Sequence, residues 1–276
     1  VQFYLQSDRF NEKRSSWVYT VLRKHLNVVN TPSDADCFIV VGGDGSLLSA
    51  VRDPQRQNKP ILALNGGTVG ANLIDVTNDN IDGLIDLIKK NSFTIKSFPV
   101  LEINATSDKG ENFKGYAFND VWIDRLDAVS VRYDMNLSKK GWNFLTDGFL
   151  SGDGVLFSTA LGSTGYSRML SDTVLPHDSL DIVCAPMLSA INKNKVPAFI
   201  MSPDDTMQVR FHDIEFRSTR MALDGHYVKT ANGVFSPETF NIKLCEDKTK
   251  WVKMLAFDDF EFHLKRLNFI CGMRKN

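Results

Sequence analysis

Cys37-Phe38-Ile39-Val40-Val41-Gly42-Gly43-Asp44-Gly45-Ser46 is an apolar run that stops at two glycines, offers a carboxylate and continues into Leu47, Leu48 and Val51 at helical spacing. A short, continuous apolar run fits a strand buried on both faces, the usual state of strands in a parallel sheet. The glycines let backbone N–H groups approach a ligand, and a helix N-terminus behind them adds partial positive charge for an anion. The stretch therefore predicts strand, turn and helix at the carboxyl edge of a parallel sheet, where open α/β folds bind ligands. Asp44 is unusual there, because a carboxylate repels phosphate. It fits a base, a hydroxyl-holder or a group acting through a bridging cation. Its bland reading is a helix cap. The stretch lacks the lysine of a Walker P-loop, which excludes that ATP-binding device.

The same rhythm surrounds the stretch. Phe3 to Leu5 reads as a short strand; Trp17, Val18, Val21, Leu22 and Leu26 fall at helical spacing. Ile61 to Leu64 is a second buried strand stopped by Asn65-Gly66-Gly67, and Ile81, Leu84, Ile85 and Ile88 mark an amphipathic helix. This β-α-β order predicts an α/β domain with a mainly parallel sheet over residues 1–98. A helix read from Phe260, Leu264 and Leu267 is expected to complete it, over 258–276. Between them, residues 99–257 show period-two alternation, as in Leu101-Glu102-Ile103, Phe113 to Ile123, Met207-Val209-Phe211, Phe240-Ile242-Leu244 and Val252-Met254. That pattern predicts an all-β second domain.

A second glycine-bearing segment lies about a hundred residues after the first. Ser151-Gly152-Asp153-Gly154 leads through the strand-like Val155 to Phe157 into Thr159-Ala160-Leu161-Gly162-Ser163-Thr164-Gly165-Tyr166. It supplies hydroxyls, glycines and an aromatic ring that can cover a ligand. Phe118-Asn119-Asp120-Val121 adds an amide and a carboxylate at the start of a strand-like run, although Asn-Asp alone is commonly a turn. Together these segments describe a cleft for a phosphorylated or nucleotide-like molecule.

Composition narrows the partners. Lys and Arg total 32 against 33 Asp and Glu, so no global charge favours nucleic acid or an anionic membrane. The apolar runs are too short to span a bilayer, and a cytoplasmic protein is the expectation. Cys37, Cys184, Cys245 and Cys271 form no C-x-x-C pair, and the five histidines form no H-E-x-x-H. A zinc site or disulfide framework is therefore not expected, and a metal would arrive with phosphate.

In this order, Gly42-Gly43-Asp44-Gly45-Ser46, Asn65-Gly66-Gly67, Asn119-Asp120, Gly152-Asp153-Gly154, Gly162-Ser163-Thr164-Gly165-Tyr166 and Leu223-Asp224-Gly225-His226 closely resemble the NAD kinase family. The resemblance implies a sandwich-like second domain and a homo-oligomer in which a neighbouring subunit helps to build the site. It implies transfer of a phosphoryl group from ATP, with Mg²⁺ or another divalent cation, to the 2′-hydroxyl of the adenosine ribose of NAD, giving NADP. Asp44 would orient or deprotonate that hydroxyl, and Gly45 would approach the dinucleotide. Gly42, Gly43 and Ser46, with Asn65, Gly66 and Gly67, would handle donor phosphates. Asn119 and Asp120 match the pair that holds adenine and ribose, while Thr164, Gly165 and Tyr166 match the lining of the nucleotide pocket. Asp153 matches an acid near the nicotinamide end, contributed in the oligomer, and Asn192 an asparagine that touches ribose or phosphate. The chain departs from the family pattern in several places. Asp120 stands where Glu is usual, Thr68-Val69-Gly70-Ala71-Asn72 where many members carry Leu-Gly-Phe, and Leu161 where a small or polar residue is usual; Ser189 to Pro197 lacks an arginine. Two alternatives share parts of the pattern: a dinucleotide-binding sensor of the same fold, and a lipid or sugar kinase with the same Gly-Gly-Asp-Gly turn.

Overall fold

The run that opens the sequence reading becomes the strand Cys37–Gly42, all six residues of it buried. The computed structural model describes residues 1–7, 12–66, 70–139, 141–191 and 194–256. Contacts divide the chain into two units, Val1–Phe98 with Thr249–Asn276, and Pro99–Lys248.

In the first unit the sheet runs Val28–Val29, Phe3–Ser7, Cys37–Gly42, Ile61–Asn65, Val252–Ala256 and Thr94–Phe98, with Ile74–Asp75 beside Ile61–Asn65. Its pairs are parallel except the last, where Val252–Ala256 meets Thr94–Phe98 antiparallel. The sequence reading grouped Val252 to Met254 with the β-rich region; pairing places the strand in this sheet instead. Period-two alternation reports that a segment is extended and says nothing of which sheet accepts it. Helices Glu12–His25, Asp44–Arg52 and Ile81–Lys89 accompany the strands. Ile81, Leu84, Ile85 and Ile88 are all buried, and each such side chain contributes about 1.5–3 kcal/mol relative to exposure. Burial of that stripe outweighs the roughly 1 kcal/mol that Gly83 costs within the helix.

The second unit is built from antiparallel sheets. The larger runs Asn194–Lys195, Ala190–Ile191, Leu150–Gly152, Val131–Lys139, Thr206–His212, Pro237–Leu244, Leu101–Ser107 and Asn112–Ala117, with Trp142–Leu145 beside Val131–Lys139. The smaller runs Phe199–Met201, Ile182–Met187, Gly154–Ser158, Asp120–Arg125, Thr219–Leu223 and His226–Tyr227. One core joins them: Tyr133, Phe211 and Phe240 of the larger sheet cluster with Val121, Ile123 and Phe157 of the smaller. Phe157 and Phe240 meet across the layers at 5.7 Å between ring centroids. This is a sandwich, each sheet burying alternate residues.

The chain changes sheets inside the quoted motifs. Phe113 to Ile123 is not one strand but two, Asn112–Ala117 and Asp120–Arg125, and the crossing falls at Phe118-Asn119. Leu150–Gly152 and Gly154–Ser158 also belong to different sheets, so Asp153 is the corner residue. A corner this tight needs glycine. Gly154 has φ +147, and a Cβ there would lie 2.0 Å from the Ile123 carbonyl oxygen. Gly154→Ala is expected to destabilise the protein by about 3 kcal/mol or more, combining backbone strain with overpacking. Chemical denaturation of both proteins measures the difference.

Candidate functional site

The first unit presents Asp44 from the mouth of its parallel sheet. Gly43 is the N-cap and Asp44 the first residue of Asp44–Arg52. The carboxylate does not cap its own helix: it accepts the Ala71 N–H on Oδ2 and the Asn72 N–H on Oδ1, each at 3.1 Å. Two backbone donors aim the acid while leaving lone pairs on both oxygens. Nothing lies within 4 Å of where a Cβ would stand on Gly43 or Gly45, so the chain's own packing does not demand glycine at either position. Free space over a helix N-terminus, where the first amides have no partner within the helix, is what a phosphate needs.

Asn65 and Gly66 adjoin this turn. Gly42 pairs in register with Asn65, and the Gly66 N–H donates to the Gly42 carbonyl at 2.9 Å. Asn65 is buried, and its Nδ2 donates to Asp75 Oδ1 at 2.6 Å. Gly70 packs on the Asn65 amide so closely that a Cβ would fall 2.8 Å from its Cγ. Asn65 thus has a structural occupation in addition to any contact with phosphate. Ser46 is half-buried in the helix's first turn. Gly67 of this group and Asn192 of the other lie outside the described residues, as does the expected helix at 258–276.

In the second unit the named residues fall along one stripe. Val121 and Ile123 point into the core, so Asp120, Trp122 and Asp124 lie on the opposite face of Asp120–Arg125. At one end the carbonyl of Asn119 touches the Gly162 turn, where a Cβ would meet its oxygen at 2.2 Å. The Thr159 hydroxyl donates to the Phe118 and Asn119 carbonyls at 2.7 and 3.2 Å. Gly162–Thr164 is a 3-10 turn with Thr164 buried, and its chain continues as a helix, Tyr166–Ser171. Tyr166 lies edge-on to Trp122 at 5.6 Å, half-way along the stripe. It is partly exposed rather than a core residue. At the far end a cavity of about 570 Å³ is lined by Asp124, Arg125, Asp127, Asp153, Tyr166 and Arg220, among others.

Charges within the stripe are arranged in pairs. Arg125 Nε donates to Asp153 Oδ1 at 2.8 Å. Both side chains are over a third exposed, so the pair is worth at most about 1 kcal/mol and chiefly fixes where Asp153 points. Arg220 grips Asp124 with two bonds of 2.9 Å and stacks on Tyr227 at 4.5 Å. Burial, then the neighbouring Asp124 and Asp153, push the Tyr166 phenol above its ordinary range.

Asn119 and Asp120, like Thr164, are deeply buried. Asn119 Oδ1 has no hydrogen-bond partner, a state that costs roughly 1–3 kcal/mol unless a donor arrives. Burial, and then the charge of Asp224, push the Asp120 carboxyl up to about 7. Arg125, Arg220, Trp122 and Asp224 were not assigned roles from the sequence. Their neighbours are remote in the chain, and only the Leu-Asp-Gly run around Asp224 offered any local signal.

Four likenesses to known proteins accompany this geometry. Residues 2–93 match the family model described as the ATP-NAD kinase N-terminal domain. The NAD kinase of Sulfurisphaera tokodaii is 29% identical over 242 residues, 87% of this chain and 89% of that protein. Among solved structures, yeast NADH kinase complexed with NADH aligns with a TM-score of 0.77 at 15% identity, over 100% of this chain and 88% of that one. An NAD kinase from Archaeoglobus fulgidus in complex with ATP aligns at 0.72 and 17% identity, over 99% and 100%.

Asp120 also makes stability pH-dependent. Between the unfolded carboxyl pKa of about 3.9 and the folded value, the native state holds a proton that the unfolded state has lost, so stability falls as pH rises through that window. Asp120→Asn, which cannot ionise, is expected to raise the thermal midpoint at pH 8 and to raise it less at pH 5. Calorimetry at the two pH values measures both shifts.

Proposed function

We infer that this chain is a divergent member of the NAD kinase family, on the likeness of residues 2–93 to that family's N-terminal domain and of most of the chain to NAD kinases: it transfers the terminal phosphoryl group of ATP to the 2′-hydroxyl of the adenosine ribose of NAD, giving NADP. The observation that most directly supports the acceptor site is the buried, unpartnered Asn119 Oδ1 beside the buried Asp120 carboxyl. An acceptor without a donor and a neighbouring carboxyl suit the exocyclic amine and hydroxyls of an adenosine. Thr164, Gly165 and Tyr166 line the path of the dinucleotide from that end, and Asp153 stands at the nicotinamide end. Asn192 is assigned to ribose or phosphate.

A ribose hydroxyl is a weak nucleophile, and Asp44 is the base that takes its proton. As the hydroxyl oxygen bonds to the γ-phosphorus, the bond from that phosphorus to the β-γ bridging oxygen breaks, and ADP leaves with the electron pair. Gly45 gives the dinucleotide close approach. The turn that follows the buried Gly42 and opens at Gly43, with Ser46, Asn65, Gly66 and Gly67, takes the donor phosphates. Mg²⁺ is expected to enter with ATP and neutralise charge on its phosphates. Among the described residues no cluster of three His, Cys, Asp or Glu is placed to hold an ion, so the phosphates are its natural ligands. Asp44→Asn is expected to lower turnover by roughly two to four orders of magnitude while dinucleotide affinity stays within a few-fold. NADP formation from ATP, Mg²⁺ and NAD, with NADH as a parallel acceptor, measures this; turnover near that of the parent would remove Asp44 from the mechanism.

The working form is a homo-oligomer. Supporting this is the strand Trp142–Leu145, every residue of it exposed, with Trp142 at 71%, Phe144 at 60% and Leu145 at 67% exposure. So much apolar surface on one strand suits a second copy of the chain. Replacing Trp142 and Phe144 together by serine is expected to lower the sedimenting mass to that of one chain, whereas an unchanged mass would rule this strand out as the contact. The cytoplasm is the expected compartment, in keeping with the buried free thiols of Cys37, Cys184 and Cys245. Among the described residues no helix is long and apolar enough to cross a membrane.

A further inference from the structure

The turn that carries Asn119 and Asp120 is held from a distance of more than a hundred residues. Asp224 is 3% exposed, and its carboxylate accepts three successive backbone amides: Phe118 N–H on Oδ2 at 2.9 Å, Asn119 N–H on Oδ1 at 2.7 Å and Asp120 N–H on Oδ1 at 3.3 Å. Its own N–H returns to the Asp120 carbonyl at 2.9 Å. The carbonyls of Phe118 and Asn119 are taken by Thr159, whose N–H and hydroxyl both donate to Asn119. With the backbone of the turn satisfied by Asp224 and Thr159, the Asn119 side chain is left with its carbonyl oxygen unpartnered.

We propose that Asp224 is the positioning residue of the dinucleotide site, holding the backbone of Phe118, Asn119 and Asp120 so that the Asn119 amide and the Asp120 carboxyl are set for the adenosine end before the ligand arrives. The proposal rests on the reading of Asn119 and Asp120 as the adenosine site. A carboxylate is suited to the task because successive amide N–H groups form a concave donor site for an anion. A neutral side chain in the same place would satisfy fewer of them. The residue is also placed where Asp or Asn is favoured: φ is +47 at Asp224, in the left-handed region, and Gly225 follows at +81.

Holding the turn with a charge has a second effect. The ionisable groups facing Asp120 are Asp224, from the turn after Thr219–Leu223, and Tyr166, from the short helix. Asp224 and Asp120 repel each other when both are ionised, so Asp224 keeps Asp120 protonated to higher pH than burial alone would. A ribose hydroxyl donates best to the ionised carboxyl. Dinucleotide affinity is therefore set to rise with pH through neutrality, and Asp224 moves that rise to higher pH than burial alone would set.

Asp224→Asn keeps shape and tolerates the backbone angle, but turns an NH₂ toward one of the amides. It is expected to raise the KM for NAD about tenfold, the loss of one hydrogen bond to a charged group, with kcat within about threefold of the parent. The pH at which KM changes is expected to move down, because the charge that held the proton on Asp120 is gone. An unchanged KM, or an inflection at the same pH as in the parent, would overturn the proposal even if the variant melts lower. If the parent itself neither binds NAD nor forms NADP, the functional reading fails instead, so the two failures are separable. Hydrogen exchange of the native chain gives a check that needs no variant: the amides of Phe118, Asn119 and Asp120 are expected to exchange slowly without ligand, and exchange as fast as an open loop would overturn the proposal.

Discussion

At Phe118-Asn119 the chain leaves one antiparallel sheet for the other, and the amides it carries across are buried where no neighbouring strand accepts them. The arrangement of Asn119 and Asp120 at this end of the stripe follows from how that need is met. A carboxylate from the turn after the neighbouring strand Thr219–Leu223 receives the donors, and a threonine supplies hydrogens to the carbonyls. Because the backbone is satisfied by the protein itself, the side chains at the crossing are available for something else. Asp153 repeats the pattern at the other corner: the chain changes sheets there too, and the side chain emerges beside Arg125 at the cavity. Sheet-changing corners, rather than loops grafted on the surface, present the candidate residues Asn119, Asp120 and Asp153 of this unit.

The glycines of the two quoted segments answer different demands. Gly43 and Gly45 face open space. Gly152, Gly154 and Gly162 are instead pressed by their own chain, against Ser189, Ile123 and Asn119. A Tyr133 hydroxyl bonded to the Gly154 carbonyl at 2.9 Å and to Ser189 at 2.7 Å braces the corner from inside the core. The sequence presents Gly43 and Gly45, and likewise Gly152 and Gly154, as glycines flanking an aspartate, yet only the first pair has the room that an incoming phosphate requires.

Much of the architecture was legible because it rests on local patterns. The apolar runs at Cys37–Gly42 and Ile61–Asn65 reveal their state through short length, β-branched content and the glycines that stop them, and the stripe at Ile81, Leu84, Ile85 and Ile88 through its period. The sheet joined by Val252–Ala256 was not legible, since a strand's partners are a non-local property. Nor was the helix Tyr166–Ser171, whose six residues are too few to show a period. Within the site, glycines and acids at motif spacing identify Asp44, Asn119, Asp120 and Asp153 as residues to examine. The groups that orient them escape such a reading. Asp224 lies 104 to 106 residues from the amides it holds, and Arg220 is 96 residues from Asp124. Composition of a segment cannot report which remote strand lies beside it in the sheet.

The hold on Asp44 has a consequence for how this chain tolerates change. Both donors to its carboxylate are peptide N–H groups, at Ala71 and Asn72, so the orienting contact is written in the course of the backbone rather than in any side chain. Substitution at position 71, within what its buried surroundings admit, leaves the donor in place, and only proline, which has no N–H, removes it in one step. A departure from the family pattern at Ala71 is then compatible with an undisturbed acid. Sequence divergence and functional divergence are decoupled at this point of the chain, and inheritance can preserve a geometry there without preserving a letter.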